Sequence, residues 1–72
     1  MVSRKEMSRL GHLAKLVREN KTISRRQLIL GSGISISYCE KLLPYMTELF
    51  TDIIYDKPTN TFQAIQTEEV KS

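Results

Sequence analysis

Gly31-Ser32-Gly33 falls between two apolar stretches of helical period, and no other feature limits the possible folds of this chain as much. Two glycines in three residues stop a helix and supply the positive φ that a sharp reversal needs. Just upstream, Ser24-Arg25-Arg26-Gln27 has the S-x-x-Q form of an N-terminal capping box. It opens a brief helix with Leu28, Ile29 and Leu30 directed inward. Downstream, Ile34 is placed to plug the turn into the core. Ser35 or Ser37 caps the next helix, and Ser37-Tyr38-Cys39-Glu40 repeats the box pattern. Cys39, Leu42, Leu43, Met46, Leu49 and Phe50 then recur at spacings of three and four, an inward face. Cys39 accordingly reads as a small buried apolar residue rather than a nucleophile. Pro44 lies in this stretch, where it removes one backbone hydrogen bond and crowds the preceding turn. A kink or break is expected near Leu43, with helix resuming through Glu48.

The flanking segments frame this pair. Ser3-Arg4-Lys5-Glu6 is a third capping-box pattern. Met7, Leu10, Leu13 or Ala14, and Val17 follow at helical spacing, with Leu16 widening the stripe. Arg4, Lys5, Arg9, Lys15 and Arg18 fall mainly off it. Gly11 costs this helix about 1 kcal/mol relative to Ala. His12 is expected on the solvent flank, and Asn20-Lys21 at the helix end. Lys21-Thr22-Ile23 makes one minimal strand or none. After Phe50, Thr51 to Asp56 is β-rich, Lys57-Pro58-Thr59-Asn60 is turn chemistry, and Thr61 to Gln66 carries Phe62, Ala64 and Ile65. Together they predict a β-hairpin. Thr67 to Ser72 is polar and expected to fray.

Charge separates along the chain. Through Leu43 nine basic residues face three acidic ones, a balance of +6; from Pro44 onward two face five, a balance of −3. A positive helical half suits a polyanionic partner. One Cys permits no intrachain disulfide, and with a single His it leaves no zinc set. Asp52 and Asp56 sit four apart in a strand pattern, a better match to an exposed face than to a metal pair. The apolar runs fall far short of the roughly 20 residues of a membrane span, and the basic start lacks a signal-peptide core. A cytoplasmic setting is expected, the host cytoplasm if the source is a virus or plasmid. No catalytic constellation or phosphate loop is present. Catalysis, a cofactor, a small-molecule substrate and a membrane partner are therefore not expected.

Helix, short strand, helix, glycine turn, helix, hairpin: this order resembles the winged helix-turn-helix superfamily. The likeness is to small single-domain members of archaeal plasmids and viruses and among transcription regulators. It spans about Ser3 to Gln66 and is carried by order, spacing and the Gly31-Ser32-Gly33-Ile34-Ser35 turn. It implies one α+β domain over residues 1–72, with three helices and a C-terminal β-hairpin wing. It also implies a double-stranded DNA partner, with helix 36–43 in the major groove and basic residues on phosphates. Two features depart from the pattern. Pro44 lies where such a helix is normally uninterrupted, and the wing tip carries one basic residue, Lys57.

On that reading Ser35, Ser37, Tyr38 and Lys41 are the outward positions near the start of the inserted helix, suited to base edges or phosphates. Ile36 either meets a thymine methyl or packs, and packing is the expectation. Arg25 and Arg26 stand at a helix start, where the dipole disfavours cations unless an external anion is present. Arg4, Lys5 and Arg9 extend the basic surface, and Lys57 and Asn60 are the wing positions. No Arg, Asn or Gln occupies the first two turns of the inserted helix, so one copy reads sequence weakly. That, with an apolar surplus at Tyr45, Leu49, Ile54 and Tyr55, points to a homodimer. The competing expectations are a non-specific architectural DNA coater and a winged helix turned to protein contacts.

Overall fold

The Ser3 hydroxyl accepts from the Glu6 N–H at 3.1 Å while the Glu6 carboxylate accepts from the Ser3 N–H at 2.9 Å. This reciprocal box starts α1, Arg4–Asn20. A computed structural model describes residues 3–65; the expected polar tail, and Gln66 before it, lie outside them. Leu10, Leu13, Ala14 and Val17 are the fully buried face of α1. Met7, at the open end of the stripe, is exposed. Lys21 ends the helix at φ 67°, turning the chain into β1, Thr22–Ser24. Ser24 then caps α2, Arg25–Ser32, by accepting from the Gln27 N–H at 3.1 Å.

Two expectations about the turn change. Gly31 lies within α2, and the left-handed conformation is confined to Gly33, at φ 77°. One glycine suffices because the buried Ser32 hydroxyl fastens the turn. It donates to the Ile29 carbonyl at 2.8 Å and accepts from the Ile34 N–H at 3.0 Å. Ile34 is half-buried against the core. Leu30 does not face inward: it is 64% exposed, because Leu28 and Ile29 already occupy the single buried face of a two-turn helix.

The next helix, α3, runs unbroken over Ile36–Leu49 with Pro44 inside it, so of the kink or break expected near Leu43 the break does not occur. Leu42, Leu43 and Met46 are buried on both sides of Pro44 and hold the helix to the core through it. Pro44 itself is exposed, so water can serve the carbonyl that loses its partner. Cys39 is fully buried, as its place in the apolar stripe implies, and burial pushes its thiol pKa up. Leu49 is exposed and Phe50 only half-buried, under the Arg18 guanidinium at 5.2 Å.

The hairpin forms as β2, Ile53–Asp56, and β3, Thr61–Ala64. Both β1 and β2 pair antiparallel with β3, giving the sheet order β1-β3-β2. Phe62 is therefore flanked by Ile23 and Tyr55, the latter ring 4.7 Å away between centroids. Phe62 and Ile53 close the core; Ile65 ends exposed. The protein is thus a small α+β domain of three helices and a three-stranded antiparallel sheet. No helix among the described residues is long and apolar enough to cross a membrane.

Arg18 joins α1 to the start of the hairpin through a two-point ion pair with Asp52, at 2.7 and 2.9 Å. The hydrogen bond from Arg18 holds the Asp52 carboxyl below its usual pKa, burial opposing, and the same bond raises that of Arg18. The folded-state value of Asp52 lies below the unfolded one. Its contribution is therefore present above the unfolded value of about 3.9 and is lost as pH falls through the folded value. Both side chains are partly exposed, which limits the pair to under about 1 kcal/mol. Asp52→Asn should flatten the fall of stability with pH below about 4, read by urea melts across pH. An unchanged acid limb would remove the assignment.

Candidate functional site

The surface that gathers the sequence's candidates is built around the first two turns of α3. Ser35 is its N-cap but makes no side-chain capping bond, and no acid lies in the first turn. The capping box expected at Ser37 does not form. Ser37 is already helical, and the Glu40 carboxylate turns away to Arg25 on α2, at 3.4 Å. Charge attraction across the two helices outcompetes the local N–H. Ser35, Ser37 and Lys41 are exposed, as their outward assignment requires. Tyr38 is not fully outward; it is half-buried against the core, with the Arg9 guanidinium 5.4 Å from its ring centre. Cation–π contact therefore brings α1 to one side of the α3 start.

On the other side stand Arg25 and Arg26, in the first turn of α2. Arg25 is half-buried and shared with Glu40, while Arg26 is exposed and has no ion pair among the described residues. Arg25 thus has an internal partner that the charge pattern did not reveal. The Arg25 N–H also donates to the Asn60 carbonyl at 2.8 Å, which places the hairpin turn beside the α2 start. Asn60 has φ 55° and its side-chain oxygen accepts from the Tyr55 hydroxyl at 2.6 Å. Asn60 thus also shapes the turn, and it remains exposed. Lys57 is exposed in the same turn.

Between these elements runs a groove. Leu30, Ile36 and Arg26 line one end, Pro44 and Thr47 the other, with Arg25, Glu40 and Tyr55 at both. Ile36 is 58% exposed on its rim, against the expected packing. It sits at the first helical position, before α3 reaches the core. Nothing matches this chain among known protein families, curated proteins or solved structures. What the site can do rests on its own chemistry: open backbone N–H groups and hydroxyls at a helix start, guanidinium groups on both flanks, and an apolar and an acidic side chain between them.

Other candidates stay apart. Lys5 lies one turn before Arg9 on the same stripe of α1. Arg4 falls off that stripe, and no hydrogen bond or ion pair ties either to α2 or α3 among the described residues. Asp52 serves Arg18, while Asp56 accepts from the Thr59 hydroxyl, so the two carboxylates do not share a site. Exposed His12 donates from Nε2 to the Ser32 carbonyl at 3.1 Å, tying α1 to the end of α2. Sequence reasoning missed Glu40 as a site residue. The available signal was that Glu40 is the one acidic residue in the first two turns of α3.

Proposed function

We propose that this chain binds double-stranded DNA as a winged helix-turn-helix domain and acts as a transcription regulator. The observation that carries the reading is the convergence of Arg9 and Arg26 on either side of an exposed α3 start with an unused N-cap hydroxyl. Phosphates on both sides of a major groove would meet cations, while Ser37 and Lys41 face the base edges. The hairpin is the wing, and Lys57 is its one basic side chain. A homodimer through Tyr45, Leu49 and Ile54 belongs to the proposal, because all three are exposed and one copy offers few base-reading groups. Tyr55 drops out of that surplus, since it packs on Phe62.

The test is a fluorescence-anisotropy titration with a random duplex and a selected pool at two salt concentrations. Salt-sensitive binding that tightens on selected duplexes, at two chains per duplex, is the expected result. Arg26→Ala should weaken binding to every sequence about equally and lower the salt slope by about 1. An unchanged slope removes Arg26 from the interface. Equal affinity for both pools would assign the architectural coating role. The exposure of Leu30 and Ile36 favours protein contacts as the second reading, and absence of DNA binding at low salt would turn the assignment to it.

A further inference from the structure

We propose that Ile36 and Glu40 form a pyrimidine-reading stripe on α3, Ile36 against the 5-methyl group of thymine and Glu40 accepting from the N4 amino group of cytosine. The inference rests on the DNA-binding reading and names the bases that its inserted helix selects. Three observations lead to it. First, the two residues are four apart on one helix and line the same groove, so their side chains project side by side from one flank of α3. Second, Ile36 is a large apolar group left 58% exposed at the helix start. A β-branched side chain there has little rotamer freedom to lose on contact, and a methyl group is the apolar feature of the major groove. Third, the Glu40 carboxylate lies in that same groove beside the Arg25 guanidinium, at 3.4 Å, which offsets the repulsion a lone carboxylate would feel from phosphates. The long, part-exposed pair leaves a carboxylate oxygen for an outside donor. In the major groove cytosine is the base that offers an amino donor without an adjacent acceptor of its own.

The spacing is compatible with one strand. Four residues of helix advance about 6 Å, and successive bases on one strand lie about 3.4 Å apart along the axis. A helix lying in the groove is oblique to the duplex axis, so the two side chains reach bases about one to two steps apart. Ser37 and Lys41, on the neighbouring stripe, pair with many acceptors and discriminate little, so the selective work falls to Ile36 and Glu40.

The experiment starts from duplexes selected by the intact chain from a random pool. Each thymine is replaced in turn by uracil, which deletes only the methyl group. One replacement should lower affinity about fourfold, the value of one buried carbon, and Ile36→Ala should bind the thymine and uracil duplexes alike. Glu40→Gln should lose about tenfold of preference for cytosine at one position about one to two steps away. Both positions are exposed, and circular dichroism of the variants checks that they fold. Uracil without effect at every position, or a thymine preference that persists in Ile36→Ala, overturns the Ile36 assignment. An unchanged cytosine preference in Glu40→Gln overturns the other half. Binding to random duplex with no selected sequence overturns the stripe and leaves DNA binding standing, whereas no binding at low salt overturns both.

Discussion

Phe62→Ala is expected to cost about 3–5 kcal/mol, the range for emptying an aromatic site in a core. The ring is 3% exposed on the central strand, between Ile23 and Tyr55, where it seals the sheet onto the helices. A domain of this size has about 4–11 kcal/mol of total stability. The single truncation therefore removes about a quarter of it or more, and leaves a substantial unfolded population if the starting value is low. Urea denaturation followed by circular dichroism should show the midpoint falling steeply with the slope unchanged. Leu30→Ala, at a residue 64% exposed, is the comparison and should stay within about 0.5 kcal/mol. Comparable midpoints for the two variants would mean that β3 is not closing the core as described.

The second large effect lies in the turn. Ser32→Ala deletes the hydroxyl that accepts from the Ile34 N–H and donates to the Ile29 carbonyl. An N–H left without an acceptor near the core costs about 1–3 kcal/mol. At about 4–8 °C per kcal/mol for a domain of this length, the loss is readable in a thermal melt. The same hydroxyl ties the turn that joins α2 to α3, so on the proposed DNA-binding reading affinity for selected duplexes should fall further than affinity for random ones. A melting temperature equal to that of the unaltered chain would show that Gly33 alone sets the turn.

Much of this architecture is written in local signals. Ser3 and Ser24 cap helices because a hydroxyl three residues ahead of an open N–H can act with no help from the rest of the fold. The stripes Leu10, Leu13, Ala14, Val17 and Cys39, Leu42, Leu43, Met46 follow from the helical period, and both are buried. Asn60 adopts positive φ, as turn chemistry there suggests. Lys21 also turns at positive φ, and nothing in a lysine announces it; the pairing of β1 with β3 imposes that reversal. The ends of the stripes misled for a related reason. Met7, Leu49 and Ile65 have the right spacing, but the core stops before it reaches them.

The candidate site shows the same division. Sequence by itself determined which residues bear charge, which helices carry them, and that a tight turn precedes the helix beginning near Ser35, because these depend on neighbours within a few positions. Tertiary structure decided the rest. It set β3 between β1 and β2, kept α3 whole through Pro44 by burying both sides of it, gave Arg25 to Glu40, and set Arg9 over Tyr38. Each of these joins residues on separate elements, and one-dimensional spacing holds no distance between a guanidinium on one helix and a carboxylate or ring on another.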